Sequence, residues 1–110
     1  MNAGLHAILL ALVLLLQPIR VAAETLPALY DRALRASQSG DFVQALPLWD
    51  QVLDRSPDDA AALSNRGNVR LALGDPDGAI QDQSRSIALA PEESDPHLNR
   101  CTAEEALQDW

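Results

Sequence analysis

"LSNRGNVRLALGD", Leu63 to Asp75, and "HLNRCTAEEALQD", His97 to Asp109, decide how this chain is read. Asn65, Arg66, Leu73 and Asp75 return as Asn99, Arg100, Leu107 and Asp109, each 34 residues further on. A fainter copy precedes both, because "ALYDRALRASQSGD" from Ala28 aligns with "ALSNRGNVRLALGD" from Ala62 through Leu29/Leu63, Arg32/Arg66, Gly40/Gly74 and Asp41/Asp75. A fixed period of this length marks short units that bury their faces by stacking on one another. Between the copies lie "FVQALPLWDQVLDRSPDD" and "PDGAIQDQSRSIALAPEE", which share Ala45/Ala79, Pro57/Pro91 and an acidic pair after each proline. Each unit reads as helix, turn, helix, turn.

The turn residues carry that reading. Gly40 and Gly74 can take the left-handed conformation that ends a helix, and Asp41 and Asp75 can then cap the next one. Pro76 falls at a first helical position, where its missing N–H does no harm. Pro57 and Pro91 end the second helix of each unit, and Asp58, Asp59, Glu92 and Glu93 put negative charge at the start of the following helix. Ala45, Trp49, Val52 and Leu53 recur at helical spacing and predict a buried face. Leu29/Ala33 and Leu63/Gly67 place a large residue one turn before a small one, which lets a neighbouring helix approach closely. Two residues break the pattern. Pro47 lies inside a predicted helix and is expected to kink it or remove a backbone bond. Gln83 stands where the first unit has Trp49, and is expected to reach water or a partner because a buried unpaired amide is costly.

Composition limits the rest. The chain has 110 residues, 47% hydrophobic, with a formal charge of −8 and no lysine. That length and hydrophobicity suit one small domain. Phosphate-backbone binding rests on clustered cations, so a nucleic-acid partner is not expected. The run "AILLALVLLL", Ala7–Leu16, followed by "VAA" before Glu24, reads as a signal peptide over residues 1–23 cleaved after Ala23. An uncleaved anchor is the rival, although the run is short for a membrane span. Cleavage takes away one arginine and no acid, leaving 16 acids against 7 arginines, and it leaves no stable span.

Ala33 or Gly67, Gly40 or Gly74, Ala45 or Ala79, and Pro57 or Pro91, all in a 34-residue frame, resemble the tetratricopeptide repeat family. The expected architecture is all-α, a helix-turn-helix solenoid of about two and a half repeats over residues 24–110: 26–59, 60–93 and a partial third, 94–110. The last helix, residues 95–108, would serve as a cap, with Leu98, Cys101, Leu107 and Trp110 as apolar surface expecting company. "SNRGN" and "DPHLNR" are more loosely similar to exported repeat proteins of photosynthetic bacteria and plastids, which implies periplasm, secretion or thylakoid lumen and a role in assembling membrane complexes.

The resemblance implies a protein-binding adaptor that captures peptides on the concave surface of its first helices. Carried onto this chain, that groove comprises Tyr30, Leu34, Asn65, Asn68 and Asn99. An asparagine amide can donate to and accept from an extended backbone at once. The carboxylate clamp of some relatives is not expected, since Tyr30, Leu34, Asn65, Asp95 and Asn99 stand at its positions without a cation. A second constellation, Arg32, Arg66 and Arg100, repeats at the full period and would form a ladder for an acidic partner segment, or pair with acids of its own chain.

No catalytic motif is present, so no enzymatic activity, cofactor or metal is expected. His97 and Cys101 are four residues apart on one helix, which leaves a minor redox or metal module as an alternative. A truncated, non-functional remnant of a longer array is the other.

Overall fold

In the computed structural model, residues 22–108 are described, and they form five helices: α1 (Leu26–Gln38), α2 (Phe42–Arg55), α3 (Ala60–Ala72), α4 (Pro76–Leu89) and α5 (Ser94–Gln108). No strand occurs among the described residues. The segment expected to be a signal peptide lies outside them as far as Val21, as do Asp109 and Trp110.

The helix ends follow the expected chemistry. Gly40 and Gly74 have φ of 77° and 82°, the left-handed conformation that an L side chain rarely adopts. Around them Asp41 N donates to Ala36 O and Asp75 N donates to Arg70 O, both at 2.9 Å, closing the preceding helix with the longer bond of a Schellman turn. Helices α1 to α4 each take a side-chain oxygen cap that accepts from the N–H three residues on: Thr25 accepts from Ala28 N, Asp41 from Gln44 N, Asp59 from Ala62 N and Asp75 from Gly78 N. Pro57 and Pro91 follow the last residues of α2 and α4 by two positions.

Helices α1, α3 and α5 begin 34 residues apart and touch in succession, whereas α2 and α4 do not touch one another. Each of these two packs instead between consecutive first helices. An array whose first helices are in contact while its second helices are splayed curves with the first helices on its inner side. The concave surface therefore belongs to α1, α3 and α5.

The apolar core is concentrated in the first unit, where Leu29, Ala33, Ala45, Trp49, Val52 and Leu53 are buried with Leu63 and Val69 of α3. Trp49 meets Tyr30 edge-on with ring centroids 4.9 Å apart, and its Nε1 donates to Ser37 Oγ at 2.8 Å. Tyr30 and Ser37 lie three before and four after Ala33, whose small side chain lets the indole lie close.

The second unit solves the same packing problem with polar groups. Of water or a partner, Gln83 takes the second: it is only 1% exposed, and its Nε2 donates to Ser64 O at 2.9 Å and to Asn68 Oδ1 at 3.1 Å, within the chain. This amide occupies the space over Gly67, where a Cβ would lie 2.6 Å from Gln83 Nε2. Ser86, one turn on, is fully buried and donates to Ala60 O at 2.7 Å. Pro47 takes the second of the two expected courses, removing a backbone bond while the helix continues. It is exposed at the sixth position of α2, and the helix runs through it to Arg55. The ring has no N–H to give Val43, so the one missing bond falls on the solvent side.

Candidate groove on the first helices

A cavity of about 410 Å³ opens on the concave side between α3 and α5. Asn65 and Asn68 line it from α3, Asp95, Pro96 and Asn99 from α5, and Glu93 from the turn between α4 and α5. Ala60, Ala61, Ser64, Ser86 and Ala90 form its floor and sides. The three asparagines expected from sequence to face a peptide thus meet in one cavity. Tyr30 and Leu34 stand one unit upstream, half-buried against the core, and Tyr30 connects to the cavity through Asn65.

The amide orientations follow from their neighbours. Asn65 Nδ2 donates to Ala61 O at 3.0 Å and to Tyr30 Oη at 3.4 Å. A backbone carbonyl only accepts, so nitrogen faces it and Asn65 Oδ1 is left as a spare acceptor. The same reasoning runs through Gln83. Ser64 O requires the amide nitrogen of Gln83, which in turn requires the oxygen of Asn68 and leaves Asn68 Nδ2 as a spare donor. Asn99 Nδ2 donates to Ser64 Oγ at 3.3 Å. Asn65 and Asn68 are three positions apart on α3 and share a face. An acceptor and a donor there match the alternating N–H and C=O groups of an extended chain. Gln83, which the sequence marks only as a departure from apolar packing, is what orients the donor. The available signal was its pairing with Gly67, where the first unit pairs Trp49 with Ala33.

Burial holds the Tyr30 hydroxyl above its ordinary pKa; the charge of Asp59 adds to the rise and the bond from Asn65 opposes it. Tyr30 is therefore an uncharged groove residue at neutral pH.

Every arginine of the expected ladder faces an acid of its own chain. Arg32 Nη1 donates to Glu24 at 2.7 Å, and Arg100 Nε lies 3.5 Å from Glu104. Arg66 is the most embedded, with Nε and Nη2 forked onto Asp82 at 2.9 and 2.8 Å and Nη1 donating to Asp50 at 3.1 Å. The hydrogen bonding to Asp82 is the largest cause of its raised pKa, against the desolvation that lowers it. Asp82 also accepts from Arg70 Nη1 at 3.0 Å. Its side chain is 4% exposed, against 19% and 24% for Arg66 and Arg70. The remaining arginines are engaged as well: Arg35 with Asp31, Arg55 with the carbonyl of Glu24, and Arg85 with Asp58.

His97 and Cys101 are both exposed, with His97 Nε2 3.1 Å from Pro91 O. Among the described residues no three His, Cys, Asp or Glu side chains gather where a metal ion could be held. Nor is any described helix long and apolar enough to cross a membrane.

Stacked helical hairpins with a 34-residue repeat and a concave face of first helices define an α-solenoid scaffold of the protein-binding kind. A tetratricopeptide repeat family model matches residues 30–94, and the chain belongs to that family. It is similar to tetratricopeptide repeat protein 36 of Mus musculus, 36% identical over 63 residues, covering 57% of this chain and 34% of that protein. The protein of the same description from Bos taurus is 35% identical over 71 residues, covering 64% of this chain and 38% of the relative. The chain thus spans little more than a third of the length of these curated relatives.

Proposed function

We propose that this chain is an exported adaptor that holds an extended peptide segment of a partner protein in the cavity between α3 and α5. The observation that carries the reading is the pair of unused polar groups, Asn65 Oδ1 and Asn68 Nδ2, left on the concave face by inward bonds to Ala61 O and Gln83. A family of protein-binding scaffolds supplies the context, and the apolar Ala7–Leu16 run with its small residues before Glu24 supports export. The looser likeness of "SNRGN" and "DPHLNR" to exported repeat proteins of photosynthetic bacteria and plastids favours a partner within a membrane complex under assembly.

Selection of a displayed library of random linear peptides on the full chain tests the binding function. Wild-type protein is expected to enrich a family of peptides. Asn65→Ala removes one backbone contact and should weaken those peptides by about five- to tenfold, since a net hydrogen bond contributes about 1 kcal/mol. Undiminished binding by Asn65→Ala and Asn99→Ala proteins that melt like wild type would overturn the groove reading. Export is tested separately by the mass of the protein recovered from its host, which is expected to begin at Glu24.

A further inference from the structure

The charge around the cavity narrows the partner. Glu93, just before α5, and Asp95, in its first turn, are the charged residues of its lining, both exposed, and no cation lines it. Neither carboxylate forms an ion pair among the described residues. No arginine among the described residues pairs with them. The chain has no lysine, and all seven arginines from Arg32 to Arg100 face acceptors elsewhere in the same chain. Glu92 adds a further exposed acid to the turn between α4 and α5. Asn65 contributes a neutral acceptor to the same lining, because the carbonyl of Ala61 turns its nitrogen inward.

We propose that the peptide held by Asn65 and Asn68 carries an arginine or lysine that reaches Glu93 and Asp95 at the α4–α5 end of the cavity. The proposal rests on the groove reading above and adds the chemistry of its occupant. An extended segment lying on α3 is fixed by its backbone at the asparagines, and a long cationic side chain spans from there to the turn. A guanidinium has only donors to offer, which suits a rim of carboxylates.

The random-peptide selection decides the matter when it is followed by synthesis. Selected peptides are expected to share a lysine or arginine at one position, and replacing that arginine by the neutral isostere citrulline should weaken binding about fivefold, as two exposed carboxylates contribute modestly. In a Glu93→Gln, Asp95→Asn protein the arginine and citrulline peptides should bind alike. Peptides that bind but show no cationic position, or a citrulline peptide that binds wild type as well as its parent, would overturn the charge proposal and leave the groove reading standing. A library that yields no binder would overturn both. Dimerisation of the wild-type chain that Asn65→Ala abolishes would assign the cavity to a second copy and also overturn the proposal.

Discussion

Replacing Asp82 by alanine removes three charge-assisted hydrogen bonds at once, from Arg66 Nε, Arg66 Nη2 and Arg70 Nη1, at 2.8 to 3.0 Å. Loss of one member of a buried ion pair costs about 3–5 kcal/mol, because the partner charge stays behind uncompensated. Here the lower end applies. Arg66 and Arg70 are 19% and 24% exposed, so water reaches them, and Arg66 keeps Asp50. A loss of about 3 kcal/mol is a large share of the roughly 5–15 kcal/mol that holds small domains folded. At about 4–8 °C per kcal/mol for a domain of this size, the melting temperature should fall by about 12–24 °C. Urea unfolding followed by helical circular dichroism measures it, with Asp31→Ala as control, since the exposed Arg35–Asp31 pair should contribute at most about 1 kcal/mol. A double-mutant cycle between Arg66 and Asp82 isolates the pair itself. An Asp82→Ala protein within about 1 kcal/mol of wild type, or no different from Asp31→Ala, would refute the claim that this cluster ties α4 to α3.

Other perturbations test the remaining packing. Trp49→Ala should destabilise by about 3–5 kcal/mol, read in the same urea series, as the largest side chain of the first unit's core is deleted. Gly67→Ala gains about 1 kcal/mol of helix propensity but drives Gln83 off Ser64 O, for a net loss of about 1–2 kcal/mol; a more stable variant would rule out the placement of the Gln83 amide over Gly67. Cys101→Ala, at the matching place in α5, should stay within about 0.5 kcal/mol of wild type. Tyr30 is the single tyrosine, so ultraviolet titration of its phenolate should give a midpoint above the ordinary 10.0. The sign follows from linkage: the folded state holds this proton more tightly, so its contribution is complete below the unfolded pKa and is lost as pH rises through the folded one. A midpoint at or below 10.0 would contradict the buried placement.

The elements were legible because their ends are local. A glycine with positive φ followed by a capping aspartate needs nothing beyond six consecutive residues, and it recurs at Gly40-Asp41 and Gly74-Asp75. The first unit's buried face was legible for the same reason, as Ala45, Trp49, Val52 and Leu53 are apolar and in phase. The second unit was harder to read because its buried groups are polar, and their partners lie 12 to 26 residues away, across a turn or further. Arg66 shows the limit. Its period marked it as equivalent to Arg32, yet Asp82 stands where the first unit has Leu48, so one guanidinium is fixed inside the fold while the other turns to Glu24.

Gly67 and Cys101 occupy the same register 34 residues apart, and their difference has a spatial cause of the same kind. Gly67 lies beneath the Gln83 amide and has no room for a Cβ without moving it. Cys101 sits in the same register on α5, but it is exposed, and Leu98 beside it is 68% exposed. Glycine is needed at Gly67 because the Gln83 amide lies directly over it, whereas Ala33 leaves room for Trp49. The repeat therefore fixes the backbone frame at all three places, and residue choice within it follows what covers each position. The same holds on the concave side. Asn65 and Asn99 share a register, yet Asn65 turns its nitrogen to Ala61 O and Tyr30 while Asn99 turns its nitrogen to Ser64 Oγ. Each first helix thus takes part of its groove polarity from the helix before it, and single asparagine substitutions should have unequal effects on a bound peptide.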